Sequence, residues 1–309
     1  MVEIVVAEFM DEGVIDEVFA GRDVVYDPTL VDKPEALLAA LAGARALVVR
    51  NRTQVRGALL EAAAGLEVVG RLGVGLDNID LDACKARGIA VRPATGANDL
   101  SVAEYVITAA FVLLRGVYAA TDHVAGGAWP RTQLMGREAA GKQLGLVGFG
   151  AIAREVATRA RALGMTVAAF DPYVEASDPA WLDAERCELD ALLANSHVIS
   201  LHVPLTKETR HLINAGALGQ MQPGACLINA ARGGIVDEAA LVAALKENRL
   251  SGAALDVFES EPVTAETGAR FRDVPNLILT PHIAGVTAES NLRVSRLTAE
   301  TVVAHLDGG

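Results

Sequence analysis

The chain has 309 residues, 51% apolar and 21% charged, which is long and apolar enough for a substantial core and too hydrophobic for disorder. Its net charge of −12 would repel nucleic acid and anionic membranes, so neither is expected as a partner, and an anionic ligand must be drawn in by a local cluster of arginines. Three cysteines, Cys84, Cys187 and Cys226, show neither CxxC nor His-paired spacing, which indicates no disulfide framework and no metal site.

The N-terminal stretch MVEIVVAEFMDE carries acidic residues where a signal peptide has basic ones, and no apolar run approaches the ~18 residues of a membrane span, so a cytoplasmic protein is expected. Short β-branched runs then recur, each followed by an Ala/Leu/Arg-rich stretch of helical length. EIVVAE, DVVYD, ALVVRN, EVVGRL and IAVRP predict five parallel strands in one flavodoxin-like layer. A helix is expected from about Asp99 to Val124, opened by Asn98 or Asp99 as N-cap and closed by Gly126-Gly127. Beyond it, KQLGLVGFG, MTVAAFD, HVISLHVP, ACLINAA, GAALDVF and NLILTPH predict six strands of a doubly wound sheet. The last helix, about 288 to 305, has no further strand to feed and is expected to return to the first domain. The fold class is thus α/β, with two Rossmann-like or flavodoxin-like domains built on parallel sheets.

GFGAIA, from Gly148 to Ala153, lies between the strand LGLV and the helix AIAREVATRARAL, the context a dinucleotide fingerprint requires. Gly148 allows the tight turn, Gly150 lets a pyrophosphate approach the backbone, and the helix N-terminus offers N–H groups and a partial positive charge. Asp171 ends the next strand, where a carboxylate binds ribose hydroxyls. No Arg or Lys lies between Asp171 and Asp183, so a 2′-phosphate would meet uncompensated negative charge, and NAD is expected as cofactor.

Downstream stand Arg232 in INAARGGIVDE, Glu261 in ALDVFESEP and His282 in LTPHIAG: a cation, a carboxylate and a titratable imidazole. Reducing a 2-oxo acid builds alkoxide charge as hydride arrives, so a cation and a proton donor are needed near that oxygen. A nearby carboxylate favours the imidazolium, and the histidine can donate in reduction and accept in oxidation. Taken singly, Glu261 before Pro262 also reads as a solvated turn residue and His282 after Pro281 as a loop histidine.

These motifs, with LLANSHVISLHVPLTKETRHLI and MQPGACLINAARGGIVDE, resemble the D-isomer-specific 2-hydroxyacid dehydrogenase family over essentially the whole chain. The resemblance implies a substrate domain from residues 1–97 and 286–309, an NAD-binding domain from 98–285 inserted into it, and a homodimer built largely on the cofactor domains. It implies that Arg232 binds the substrate carboxylate and polarises its carbonyl, that His282 is the acid/base and that Glu261 hydrogen-bonds it. It also implies cofactor contacts at Ala151, Ile152, Pro204 and Thr209, and at Ala230, Ala231 and Gly285. Asp256 is placed near the nicotinamide, with a strand-end cap as its alternative role.

On the substrate side, RLGVGLDNID resembles the family loop whose N–H groups, here of Val74 and Gly75, face the substrate carboxylate, and two glycines around Val74 make such a nest reasonable. ATGANDLSVAE offers Asn98, and VRNRTQV offers Arg50 and Arg52. If Arg52 faces the cleft, an acid with an anionic group on carbon 3 is expected, because lactate would leave that guanidinium unpartnered. 3-Phosphoglycerate and 3-sulfolactate fit, and RNRTQV with MGREAAGKQLGLVGFGAIA resembles the sulfolactate-oxidising branch of the family. Hydroxypyruvate or glyoxylate reduction is a further alternative. Outside enzymology, the same fold would serve an NAD-sensing regulatory protein.

Overall fold

A computed structural model describes residues 2–308. By its internal contacts the chain divides into two compact units, Met1–Asn98 with Val286–Gly309, and Asp99–Gly285. The first boundary lies one residue later than the sequence reading placed it.

In the first unit, strands β1 (Ile4–Val6), β2 (Val24–Tyr26), β3 (Ala46–Val49), β4 (Val68–Arg71) and β5 (Ala90–Pro93) pair in parallel in the order β2-β1-β3-β4-β5. That order is flavodoxin-like, and its crossovers are made by α1 (Glu12–Val18), α2 (Pro34–Leu41), α3 (Ala58–Ala62) and α4 (Leu81–Ala86). Helices cover both faces, so central strands are apolar throughout, and every residue of β3 is buried. One face packs on Leu37, Leu41, Leu59 and Leu60. The other packs on Val14 and Phe19 of the α1 region and on Val294, Ala299 and Val302 of the C-terminal helix, Ala288–Leu306. Each fully buried side chain of this size contributes ~1.5–3 kcal/mol relative to exposure. A capping box starts the C-terminal helix: Thr287 Oγ1 accepts the Ser290 N–H at 3.0 Å, and Ser290 Oγ accepts the Thr287 N–H at 2.8 Å.

The second unit begins with α5 (Asp99–Arg115). The helix expected to reach Val124 stops nine residues earlier because Gly116 turns into the left-handed region at φ 63°; α6 (Thr121–Ala125) is a separate turn of helix. Asn98 does not cap α5 with its side-chain oxygen, which is buried without a hydrogen-bond partner. Strands β6 (Gln143–Val147), β7 (Thr166–Phe170), β8 (Glu185–Arg186), β9 (Val198–Leu201), β10 (Cys226–Asn229), β11 (Gly252–Leu255) and β12 (Leu277–Leu279) form a parallel sheet in the order β12-β11-β10-β9-β6-β7-β8. The six expected strands are joined by a seventh, β8, an exposed two-residue edge that carries no apolar signal. α7 (Ala151–Ala162) packs with α5 on one face, while α8 (Leu189–Asn195), α9 (Ala215–Gln220) and α10 (Glu238–Lys246) cover the other. The strand order reverses at β6, between β7 and β9, and such a switch point opens a crevice at the strands' C-terminal ends.

Among the described residues, no helix is long and apolar enough to cross a membrane, and no group of three or more His, Cys, Asp or Glu could hold a metal ion. All three cysteines are free.

Candidate active site

The glycine turn leaves β6 at the switch point. Gly148 has φ 92°, and a first side-chain carbon there would lie 2.5 Å from the carbonyl oxygen of His202, so only glycine fits. Gly150 differs: nothing in the protein lies within 4 Å of where its side chain would be. Packing does not demand that glycine, which leaves room for a ligand against the backbone. No side chain caps the start of α7, so the N–H groups around Ala151 and Ile152 face outward at the positive end of the helix. Asp171 accepts the Phe149 N–H through Oδ2 and the Tyr173 N–H through Oδ1, both at 2.8 Å. A carboxylate has about four acceptor sites, so two remain for ribose hydroxyls. The cradle therefore fits a dinucleotide. Arg154, a nearby cation the linear reading passed over, donates to Phe149 O at 3.0 Å and to Asp178 at 3.2 Å.

The other expected cofactor residues line loops that are internally braced. Thr209 Oγ1 donates to Pro204 O at 2.6 Å and accepts the Thr206 N–H at 2.7 Å. The buried Asn229 holds the next three residues, accepting the Ala231 N–H at 3.1 Å and donating to Arg232 O at 2.9 Å. This fixes Ala230 and Ala231 and sets the direction in which Arg232 leaves the backbone.

His282 and Glu261 come together, with Nδ1 of the imidazole 2.7 Å from Oε2 of the carboxylate. The other oxygen of Glu261 accepts the Phe258 N–H at 2.9 Å. Burial alone would raise the Glu261 carboxyl, but the bonds from His282 and Phe258, with the charges of His282 and Arg232, hold it below the usual carboxylate value. Glu261 is thus a carboxylate at neutral pH, and its grip on Nδ1 leaves Nε2 as the ring nitrogen that can exchange a proton. The His282 backbone sits at φ 54°, an uncommon conformation held by its N–H to Asp256 O at 2.8 Å and to Thr280 O at 3.0 Å.

Asp256 is 1% exposed and takes three donors: Thr280 Oγ1 at 2.6 Å, the Ile283 N–H at 2.9 Å and the Ala284 N–H at 2.8 Å. Since the Thr280 hydroxyl donates to Asp256, Tyr105 OH donates to Thr280 at 2.7 Å. Of the two roles the sequence left open for Asp256, the strand-end cap is the one whose contacts are visible. It builds the His282 loop and the chain up to Gly285. His202, which follows β9, has its ring 2.9 Å from Ser200 Oγ, and desolvation pushes its pKa down to about 4.

The substrate-side residues lie in the first unit. Among the described residues, neither the Val74 nor the Gly75 N–H is taken by a protein acceptor. Arg71, which the sequence reading passed over, folds against Gly73 of this loop and donates to Leu72 O at 2.7 Å. Asn98 presents its buried, unpartnered oxygen. The loop after β3 is pinned from two sides: buried Glu8 accepts the N–H groups of Arg50 at 2.9 Å, Arg52 at 3.3 Å and Thr53 at 3.0 Å. Asn78 Nδ2 donates to Arg50 O at 2.9 Å and Thr53 O at 2.7 Å.

The two arginines then part. Arg52, the expected ligand-facing residue, is 59% exposed and paired with Asp32 on the surface. Arg50 instead is enclosed, with Nη2 2.7 Å from Asn291 Oδ1, the guanidinium 5.4 Å over the Phe9 ring, and a buried Nε without a partner. Burial lowers its proton affinity, and the charge of Glu8 only partly offsets this.

Residues 107–284 match the model of the NAD-binding domain of D-isomer-specific 2-hydroxyacid dehydrogenases. The chain is 55% identical to (S)-sulfolactate dehydrogenase of Chromohalobacter salexigens, over 98% of this chain and 97% of that protein. It is 40% identical to D-3-phosphoglycerate dehydrogenase of Archaeoglobus fulgidus, over 97% of this chain but 56% of that longer protein. In structure it is similar to D-lactate dehydrogenase of Aquifex aeolicus complexed with NAD and lactic acid, with a TM-score of 0.87, 31% identity, and coverage of 99% and 96% of the two chains. The chain belongs to the D-isomer-specific 2-hydroxyacid dehydrogenase family and is an NAD-dependent oxidoreductase of 2-hydroxy acids.

Proposed function

We propose that the substrate is (S)-3-sulfolactate, interconverted with 3-sulfopyruvate. One observation carries the choice of an anionic third carbon: Arg50 is an enclosed guanidinium with a neutral partner, Asn291, and an unpartnered Nε. Such a cation is costly unless an anion completes it. The 55% likeness to an (S)-sulfolactate dehydrogenase points the same way. Stereochemistry agrees, since sulfur outranks oxygen in naming priority and (S)-3-sulfolactate therefore has the spatial arrangement of a D-acid.

In this reading NAD, when bound, supplies the hydride acceptor. His282 Nε2 takes the hydroxyl proton as the hydride leaves carbon 2, and Glu261 stabilises the imidazolium that forms. Arg232 holds the carboxylate and the developing carbonyl, Val74 and Gly75 offer N–H groups to the carboxylate, and Arg50 grips the sulfonate. The exposed apolar side chains of Tyr118, Val124, Trp129 and Met135, all in the second unit, support a homodimer through that unit. Free Cys84, Cys187 and Cys226 suit a cytoplasmic setting.

The test is a panel of (S)- and (R)-sulfolactate, D-3-phosphoglycerate, D-glycerate and D-lactate against the native enzyme and two variants. Arg50→Ala should raise KM for (S)-sulfolactate about 10- to 150-fold, the worth of a charge-assisted hydrogen bond, and far less for D-lactate. Arg52→Ala should change little. Equal losses on both acids would remove the sulfonate contact, and faster turnover of phosphoglycerate by the native enzyme would replace the substrate.

A further inference from the structure

The loop that carries Glu261 has a second anchor, away from His282. Glu238, in the first turn of α10, is 5% exposed. An acid at that position usually stays in water and favours the helix N-terminus, and Asp237 already caps this helix by accepting the Ala240 N–H at 3.0 Å. Glu238 turns inward instead. Its Oε1 accepts the Glu259 N–H at 2.7 Å, and its Oε2 accepts from Arg270 at 3.1 Å.

Glu259 answers in kind. Its Oε1 lies 3.4 Å from the Glu238 N–H and 3.1 Å from His211 Nε2, and its Oε2 lies 3.6 Å from Arg270. His211 is in turn tied to Gly234 by its own N–H at 2.8 Å. Two carboxylates therefore exchange backbone bonds and share one arginine. They join the segment after Arg232 to the segment before Glu261. At Gly233 the two segments touch: a side-chain carbon there would lie 1.7 Å from Phe258 O. Burial raises the Glu238 carboxyl, so keeping it charged costs free energy that neither helix capping nor solubility requires.

We propose that Glu238 is a positioning residue for the reaction: through the Glu259 N–H and Arg270 it fixes the loop that presents Glu261 to His282 and holds that loop in register with Arg232. The inference rests on the reading of Glu261 and His282 as the acid/base pair. Without the latch, the Phe258–Glu261 segment can shift while the sheet beneath it stays intact.

The experiment measures kcat, KM and the pH profile of sulfopyruvate reduction by full-length Glu238→Ala, Glu238→Gln and Glu261→Gln. In Glu238→Ala, kcat should fall about 10- to 100-fold, as misplacement of catalytic groups costs, with KM for NADH nearly unchanged. The alkaline limb should move to lower pH, in the same direction as in Glu261→Gln. Glu238→Gln keeps an oxygen for the Glu259 N–H but loses the ion pair with Arg270, and should recover part of kcat and part of the limb's position. Loss of thermal stability without movement of the limb would mean that Glu238 serves packing alone, and would overturn the proposal. If Glu261→Gln itself leaves the limb in place, the acid/base reading is what fails. Should Glu238→Ala not fold, Arg270→Gln, at a half-exposed site, releases one oxygen of the latch; a limb unchanged in that variant overturns the proposal equally.

Discussion

Two loops, one in each unit, are shaped by the same device to different ends. Residues 50–53 follow β3 and hang their N–H groups on Glu8, just beyond the neighbouring strand β1. Residues 282–284 follow β12 and hang theirs on Asp256, just beyond its neighbour β11. Parallel pairing delivers a carboxylate to the adjacent loop in both cases, and burial makes its bonds to the backbone strong. The Asp256 loop holds one histidine in a strained conformation with its ring locked to Glu261. The Glu8 loop instead sends two arginines into different surroundings. In the proposed function, one device places a reacting atom, where an ångström matters, and the other a binding group, where charge matters more than exact position.

The strongest way to break this contrast is His282→Gln. Loss of the acid/base should cut kcat about 10²- to 10⁴-fold while NADH titration, followed by fluorescence, stays near native. A variant with native kcat would remove His282 from the chemistry and the contrast with it.

The carboxylates themselves sharpen it. Asp256→Asn replaces one acceptor oxygen with a donor facing N–H groups, which costs ~1–3 kcal/mol locally and should appear mainly in kcat. Glu8→Gln makes the same change under the Arg50 loop and should appear mainly as a higher KM for sulfolactate, with kcat retained. Identical kcat and KM patterns in the two variants would show that the loops do not divide the work this way.

How much of this the sequence revealed follows from where each signal resides. Alternating βα units announce both sheets because central strands buried on two faces must be apolar, and β8, an exposed two-residue edge, has no such signature. The helix end at Arg115 was missed because the turn at Gly116 outweighs the helical composition that continues past it. Arg232, Glu261 and His282 each stand in a local motif, and the contact between the last two is the part that the fold displays. Arg50 and Arg52 were not separable, since they occupy one motif two residues apart. What distinguishes them, Asn291 and Phe9 for one and Asp32 for the other, is remote in the chain. Glu238 and Glu259 were invisible for the same reason: their bond joins segments 21 residues apart.

Cofactor choice yields a smaller expected effect. Asp171 ties the glycine turn through the Phe149 N–H, and in the proposed function it also opposes a 2′-phosphate. Asp171→Ala should therefore lower efficiency with NAD and narrow the gap to NADP by roughly tenfold, the scale of one charge contact. Equal use of both cofactors by the native enzyme would count against Asp171 as the discriminator.

The last effect is on stability rather than on turnover, and concerns a histidine kept neutral by its surroundings. His202 follows β9 directly; part of the residue stays accessible, but its ring is desolvated and its pKa falls from 6.5 to about 4. A histidine depressed in the folded state binds its proton first in the unfolded chain. Stability therefore rises with pH between about 4 and 6.5, and acidification through that window costs it progressively. For a single site with this shift the loss is on the order of 2 kcal/mol once residual solvent access is allowed for. His202→Gln keeps a polar group near Ser200 without a titrating one, so its urea-unfolding free energy should fall less on acidification than that of the native protein. Parallel losses in both proteins would mean that His202 is solvated enough to protonate when folded, and would place the acid sensitivity of the second unit in its carboxylates instead.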